Sequence, residues 1–486
     1  MKIIKYIKII PLALFLLLAG VSCDNGFDEL AQNPNAPNDV PASFVLAGAQ
    51  VDLSYQTSYQ MGINYIGLWV QHHGSGEYPD EDQYSPRLND INVYWNNIYD
   101  NALRDFKHIL DVSESEGNVN QQAVAMIMSS YAYMSLADVW GDIPYTEALK
   151  GDDGISTPVF DTQQTVYEGI IADLNTATGL INASRTDGFG SEDVMYGGDM
   201  DKWLRFGNSL RLRAFMHLSK VDPTTAEAGV VAMLSQPLIS SQAENAAIQY
   251  STTSGNKNPV HSRLVGREND FRISASVATR MIGNGTSAAP QDPRLPVYAE
   301  LNDANEYVGI PNGVASLAAI GLTNASSSKI GALYAADNAP AYFMTYAEVQ
   351  FIRAEAAARG WIADDPATAY ENAISASMEQ NGVTDAAAIT TFLASTGVAY
   401  NAGTALEQIA TQKWIALYGQ SIEAWTEWRR TGFPDIPVAL NDQNGGVIPR
   451  RLMYGSVEAT TNAANVTVAS ERQGGAELSN RVWWDN

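Results

Sequence analysis

The chain of 486 residues contains a single cysteine, Cys23, and it is also short of basic residues and of long apolar runs. One cysteine cannot form a disulfide within the chain, and a cysteine nucleophile in the body of the protein is excluded by the same count. The sequence has no P-loop, no Gly-x-Gly-x-x-Gly after a strand, no His-Glu-x-x-His and no Gly-x-Ser-x-Gly elbow. It therefore carries no common catalytic signature.

Basic residues are scarce relative to acidic ones. Lysine and arginine together number 29 and aspartate and glutamate 54, which gives a net charge of −25 at pH 7. A surface of this sign repels phosphate backbones, so nucleic acid is excluded as a partner. The excess of acidic groups is typical of a soluble surface and does not by itself indicate a cationic substrate.

Long apolar runs are missing apart from one near the amino terminus. Lys2, Lys5 and Lys8 precede the apolar stretch Ile9–Ala19, and small residues follow it. A bilayer-spanning helix needs roughly 20 apolar residues, so this layout is typical of a secretory signal peptide. We expect residues 1–22 to be removed on export.

The position of Cys23 directly after the apolar stretch indicates a covalent use for its sulfur. "GVSC" resembles the lipobox of bacterial lipoproteins, although Gly20 stands where leucine is usual. We expect Cys23 to carry a lipid anchor, since a free thiol is a liability in an oxidising compartment. Residues 23–41, which include "NPNAPNDVPA", are predicted to form the tether.

Apolar residues recur at helical spacing over most of the remaining chain, and with 45% hydrophobic residues the chain can bury a large core. The pattern predicts a mostly α fold with about four helix pairs, which suggests a degenerate tetratricopeptide-like solenoid interrupted by loop-rich insertions with short strands. We expect residues 42–486 to form a single domain. The predicted pairs lie near 92–139, 161–220, 345–380 and 404–430, and the loop-rich parts are the insertion 235–343 and the segment 432–486.

The stretch "LWVQHHGSGEYPDEDQYS" is a candidate contact region because Trp69, Tyr78 and Tyr84 accompany amides and carboxylates in it. Flat aromatic faces stack on sugar rings or peptide planes, and the polar groups can bond to hydroxyls. His72 and His73 match no standard ligand spacing, so no metal site is predicted here.

Two glutamates leave an enzyme alternative open. Glu348 and Glu355 are seven residues apart on a predicted helix and so share one face. Their spacing is compatible with the paired carboxylates of a glycosidase, although salt bridges with Arg353 and Arg359 explain it more simply. Trp425 and Trp428 in "WTEWRR" are predicted to be core residues rather than a sugar platform.

Several blocks resemble, in the same order, the SusD/RagB family of outer-membrane nutrient-binding lipoproteins of Bacteroidota. They include "YAYMSLADVWGDIPYTEAL", "FDTQQTVYEGIIADL", "DKWLRFGNSLRLRAFMHLS", "YFMTYAEVQFIRAEAAARGW" and "IATQKWIALYGQSIEAWTEWRRTGFP". The resemblance extends along nearly the whole chain. It implies a fold of four tetratricopeptide-like helix pairs packed against a loop-rich half with short strands. It also implies a surface lipoprotein that binds oligosaccharide, acts as a lid over a TonB-dependent SusC-like transporter and performs no chemistry.

The resemblance transfers ligand contacts only as loop regions, from which we select aromatic and polar residues. The predicted contacts are Trp69, Tyr78, Tyr84, Arg267, Asp270, Phe271, Tyr307 and Tyr342. No cofactor is expected, and bound calcium is left open. Alternatives to the oligosaccharide binder are a peptide-binding member of the family, the secreted glycosidase and a structural protein that only docks other subunits.

Overall fold

The computed structural model describes residues 40–286 and 288–486. The predicted signal peptide, the lipidation site Cys23 and the tether up to residue 39 lie outside the described residues. Ala42–Asn486 forms one compact unit. Among the described residues, no helix combines the length and the apolar composition needed to cross a bilayer.

The described chain begins with a long helical segment that the sequence analysis did not predict. Ala42–Ser54 is α-helical, Tyr55–Ile66 continues as a π-helix, and Gly67–Trp69 adds a short α-helical turn. This segment buries apolar residues spaced three and four apart, including Leu46, Ala49 and Leu53. It leads directly into the candidate contact region.

Successive helices pack against each other along the chain, as the periodicity predicts. They begin at polar caps: the Asn118 side chain accepts a hydrogen bond from the Gln121 N–H, and Thr162 accepts one from Thr165. The helices of the four pairs are Leu88–Asn97 with Arg104–Glu116 and Val119–Trp140; Gln163–Leu180 and Met200–His217; Tyr346–Ala358 and Pro366–Gln380; Ala405–Ala416 and Ser421–Thr431. The mostly helical fold class is therefore confirmed.

The connections contain further elements. A π-helical turn, Ile98–Leu103, joins the two parts of the first helix. Additional α-helices are Pro223–Met233, Pro259–Leu264, Ala275–Ile282, Leu295–Tyr298, Ala332–Ala335, Ala386–Leu393, Ser456–Thr461 and Ala463–Arg472. The segment 432–486 is thus less irregular than the sequence analysis predicted. Its two helices are short, and few of their residues are buried, so their periodic signal is weak.

In the described part of the chain, four short strands form two antiparallel ribbons. Strand β1 (His73–Ser75) pairs with β3 (Phe271–Ile273), and β2 (Ala246–Gln249) pairs with β4 (Pro340–Met344). In the first ribbon Ser75 lies opposite Phe271. This pairing brings together two segments that are about two hundred residues apart in sequence, and it creates the site described below.

The motif Trp140-Gly141-Asp142-Ile143-Pro144-Tyr145 ends a core helix. Gly141 has φ of 83°, a left-handed conformation that favours glycine, and a Cβ there would overlap the Gln473 side chain. The Trp140 Nε1–H donates to the Met453 carbonyl, and the Tyr99 hydroxyl donates to the Pro144 carbonyl. The motif is therefore architectural.

Candidate functional site

A cleft of about 300 Å³ opens beside the β1–β3 ribbon. We call it the Tyr78 cleft. Its lining combines two aromatic residues with amide, hydroxyl and charged groups: Tyr78, Phe271, Leu68, Asn64, Ser75, Glu81, Asp270, Arg87, Arg263 and Arg267. Four of the predicted contact residues, Tyr78, Arg267, Asp270 and Phe271, meet here. Arg87 and Arg263 also line the cleft and are not among the predicted contacts, and the position of Arg263 beside Tyr78 depends on the pairing of distant strands.

A close backbone approach holds the two walls of the cleft together. The Gly76 N–H donates to the Asp270 carbonyl at 2.8 Å. A Cβ on Gly76 would lie 2.5 Å from the Asn269 carbonyl oxygen, which is closer than real Cβ contacts allow. Glycine at this position therefore lets the loop that follows β1 lie against the segment that precedes β3.

Asp82 fixes the loop between Ser75 and Tyr84 from below. Its carboxylate accepts hydrogen bonds from the Ser75 N–H at 3.0 Å and from the Asn312 side chain at 2.7 Å. The same Asn312 amide also donates to the His73 carbonyl. Burial raises the pKa of Asp82 to about 6, although these hydrogen bonds lower it in part.

Trp69 and Tyr84 support the loop and do not face the cleft, which corrects two of the predicted contacts. Trp69 is 0% exposed and Tyr84 2% exposed. The Trp69 Nε1–H donates to the Glu81 carbonyl at 2.8 Å, and the Tyr84 hydroxyl accepts from the Ala439 N–H at 2.9 Å. Both aromatic rings are needed to anchor a loop that has few other apolar residues, so neither offers a face to a ligand.

Tyr78 is the aromatic residue that the cleft presents to solvent. It is 56% exposed, and the Arg267 guanidinium lies 5.1 Å from its ring centroid. The Ser75 hydroxyl donates to the Tyr78 carbonyl at 2.6 Å, which fixes the backbone beneath the ring. Phe271 is buried in the opposite wall. An exposed, positioned ring beside polar groups can stack on a flat ligand surface.

Ion pairs order the charged groups of the cleft. Arg263 Nη2 and Arg267 Nε both contact Asp270 Oδ2, at 2.9 and 2.7 Å. Arg87 forms an ion pair with Glu81. Burial raises the pKa of Glu81 while Arg87 lowers it in part. The walls therefore present fixed donors and acceptors instead of free side chains.

Tyr307 and Tyr342, the two remaining predicted contacts, are not among the residues that line the Tyr78 cleft. Tyr342 lies on β4 and borders a separate, much smaller cavity of about 40 Å³ together with His73 and Tyr334. Tyr307 is half-buried against the core. The pKa of both hydroxyls is raised by burial, that of Tyr342 to about 12. The structure thus does not gather all eight residues at one site.

Glu348 and Glu355 are buried in the core, and the glycosidase alternative is wrong. Arg213 donates to both Glu348 oxygens at 2.7 and 2.6 Å, and Arg430 donates to both Glu355 oxygens at 2.7 and 2.6 Å. Glu355 also pairs with Arg359, as its spacing predicts. Carboxylates without access to solvent cannot flank a glycosidic bond.

His72 and His73, whose spacing matches no standard pattern of metal ligands, are buried. His72 Nε2 lies 2.9 Å from the Trp414 carbonyl, and His73 Nδ1 lies 3.3 Å from the Tyr418 hydroxyl. Burial lowers the pKa of each to about 3, so both rings are neutral at pH 7. Both rings belong to an aromatic cluster, in which His72 contacts Trp414 and His73 contacts Tyr418.

One buried group of side chains, Asp138, His217 and Glu423, has the composition of a metal site. The Tyr167 hydroxyl contacts both Asp138 and His217 Nδ1, and His217 Nε2 lies 3.2 Å from Glu423. Burial lowers the pKa of His217, but Glu423 and Asp138 outweigh it and raise the pKa. The group is explained as an internally satisfied ion-pair network.

The chain is similar to known proteins over most of its length. The sequence model of the SusD-like family described as "starch-binding associating with outer membrane" matches residues 34–455. The comparison with curated proteins finds no match.

Among solved structures, a chitin-binding protein is 30% identical with a TM-score of 0.81, over 92% of this chain and 100% of its own. A chitin-binding SusD homologue from Flavobacterium johnsoniae is 25% identical with a TM-score of 0.77, over 91% of this chain and 98% of its own. A SusD homologue from Bacteroides uniformis, 24% identical, shares the fold with a TM-score of 0.80, over 91% of this chain and 99% of its own.

Proposed function

Because the chain belongs to the SusD-like family, which is described as starch-binding and associating with the outer membrane, we propose that it binds oligosaccharide in the Tyr78 cleft. Binding and not catalysis is its function. The observation that carries the proposal is the exposed Tyr78 ring, which is fixed by Ser75 and flanked by Arg267 and Asp270. Similar proteins of known structure are described as chitin-binding.

The chemistry of the cleft suits a sugar. A pyranose ring presents an apolar face that can stack on Tyr78, and its hydroxyls can donate to Asp270 or accept from an arginine. One stacked ring and a few hydrogen bonds at a wet surface give modest affinity, in the micromolar to millimolar range, or about 4 to 8 kcal/mol. Tyr307 and Tyr342 do not line this cleft, and their contact with a ligand stays a prediction.

We further propose that the protein is anchored by a lipid on Cys23 at the outer face of the outer membrane and closes over a TonB-dependent SusC-like transporter. The family description supports association with the outer membrane. Weak binding is sufficient for such a protein, because enclosure between lid and transporter raises the effective concentration of the ligand. We expect no cofactor, and calcium binding stays open.

Isothermal titration calorimetry against chito-oligosaccharides, malto-oligosaccharides, acidic oligosaccharides and short peptides tests the proposal. We expect binding of at least one glycan, weakened about tenfold by Tyr78→Ala, since loss of a stacked ring costs about 1.4 kcal/mol. Phe44→Ala is the matched control, because Phe44 is an exposed aromatic residue outside the cleft.

Two outcomes would overturn the proposal. Binding of peptides alone would favour the peptide-binding alternative. Binding of neither class, together with tight co-purification with a barrel protein, would favour a purely structural role.

A further inference from the structure

We propose that the Tyr78 cleft recognises an acidic oligosaccharide and holds the carboxylate of a uronic acid residue between Arg263 and Arg267. This inference rests on the proposed glycan-binding function and names the ligand class. It departs from the chitin and starch named for the relatives, which are uncharged at the corresponding ring position.

The local balance of charge in the cleft favours an anionic ligand. In a chain of net charge −25, the cleft is lined by three arginines against two carboxylates. Arg87 is balanced by Glu81 and by Asp90, which lies 3.4 Å from Arg87 Nη2. The uncompensated positive charge is therefore concentrated at the other end of the cleft.

At that end, two guanidinium groups share a single carboxylate oxygen. Arg263 and Arg267 both contact Asp270 Oδ2, and this atom is their shared partner among the described ion pairs. Two cations on one anion leave one positive charge without a partner. A second carboxylate, supplied by a ligand, would complete the arrangement.

Arg263 also has an unsatisfied donor. Its Nη1 is buried and has no hydrogen-bond partner among the described residues, while the side chain as a whole is 19% exposed. A buried charged donor without an acceptor is costly, so a ligand atom that reached this guanidinium would relieve that cost. The atom must be an acceptor, because an arginine has only N–H groups to offer.

The geometry around Tyr78 also favours a sugar that carries a carboxylate. Arg267 uses Nε for Asp270, its guanidinium lies near the Tyr78 ring, and its side chain is 45% exposed. The terminal N–H groups of Arg267 thus remain available beside the ring on which a sugar would stack. A carboxylate attached to the sugar ring can then accept from an arginine while the ring contacts Tyr78.

Titration calorimetry with the purified protein tests this inference with paired ligands. The probes are oligogalacturonate and oligomannuronate, each compared with the same oligomer after methyl esterification of its carboxylates. We expect the acid form to bind at least tenfold more tightly than the ester at about 0.05 M salt. We also expect this preference to shrink severalfold at about 0.5 M salt, because salt screens exposed charges.

Substitutions locate the effect. Arg263→Gln and Arg267→Gln should each weaken binding of the acid form at least fivefold more than they weaken binding of the ester, because the ester loses only the hydrogen bonds to its hydroxyls. Arg185→Gln is the matched control, because Arg185 is an exposed arginine paired with Asp187 outside the cleft. Equal loss for acid and ester would contradict a carboxylate contact and indicate general damage to the cleft.

The comparison of acid and ester in the unsubstituted protein decides the matter even if a variant fails to fold. Binding of chito- or malto-oligosaccharides with no binding of any uronate would overturn the acidic-ligand inference and leave the proposed glycan function standing. Equal affinity for acid and ester would overturn it in the same way. Absence of binding to every glycan would overturn both proposals together.

Discussion

Asp82 is a buried carboxyl group beneath the loop that carries Tyr78. Burial raises its pKa from 3.8 to about 6 in the folded state. A raised pKa means that the folded state binds this proton more tightly than the unfolded state does. The stabilising contribution is therefore complete below about pH 4 and is lost as the pH rises through about 6.

Asp82→Asn removes this titration. Between about pH 4 and about pH 7, we expect the free energy of unfolding to fall less in the variant than in the unsubstituted protein. The two falls should differ by up to about 3 kcal/mol. Urea unfolding at several pH values measures the difference. Parallel pH profiles for Asp82→Asn and the unsubstituted protein would contradict the assignment.

Glu355 is a second buried carboxylate, and its role is structural. Burial would raise its pKa, but Arg430 and Arg359 outweigh burial and hold the pKa well below its usual range. Removing one partner of a buried ion pair leaves the other charge uncompensated. Glu355→Gln should therefore lower the free energy of unfolding by about 3 to 5 kcal/mol.

Glu371→Gln, on the exposed face of the neighbouring helix, should change the free energy of unfolding by less than about 0.5 kcal/mol. Chemical denaturation measures both variants. Release of new reducing ends from glycans by the unsubstituted protein, lost in Glu355→Gln, would contradict the structural role.

Among the elements, the β1–β3 ribbon has the largest effect on the site. Gly76→Ala would place a methyl group 2.5 Å from the Asn269 carbonyl oxygen. This oxygen belongs to the backbone, so it cannot rotate away as the end of a flexible side chain could. The loop must shift away from Asp270 to relieve the overlap, so we expect glycan affinity to fall more than tenfold while the helix content stays the same.

Calorimetry and far-ultraviolet circular dichroism measure these two effects of Gly76→Ala. Gly179→Ala is the matched control, since a Cβ on Gly179 meets nothing within 4 Å. Unchanged glycan affinity in Gly76→Ala would show that the ribbon does not shape the binding site.

The helix pairs could be predicted from the sequence because their signal is local. The buried positions Trp95, Ile98, Phe106 and Ile109 follow one another at helical spacing, and the helix at Pro366 begins where Asp365-Pro366 predicts. The first helical segment escaped prediction, since it changes to a π-helix at Tyr55 and its spacing drifts.

The cleft could be predicted only in part. Aromatic residues that accompany amides and carboxylates in a glycine-containing stretch favour Tyr78 and Trp69 equally, but Trp69 is core while Tyr78 is exposed. Composition does not tell which aromatic side chain turns outwards. Arg263 was missed because its partner Asp270 and the ring of Tyr78 come together only through strand pairing over about two hundred residues.

At the scale of the whole molecule, the account requires a protein that stays at the cell surface. Cys23→Ala removes the proposed lipid attachment and should release the protein from the outer membrane into the medium or periplasm. Fractionation with surface protease digestion measures this. A Cys23→Ala protein that is as cell-bound and as protease-accessible as the unsubstituted one would contradict the anchor. Ser22→Ala, beside the lipidation site, is the control and should stay anchored.

If oligosaccharide binds in the Tyr78 cleft, a crystal structure of the protein with a bound oligosaccharide will reveal it there. We expect a sugar ring stacked on Tyr78, within hydrogen-bond distance of Arg263, Arg267 or Asp270. A sugar bound elsewhere, for example beside Tyr342, with the Tyr78 cleft empty at saturating ligand, would contradict it.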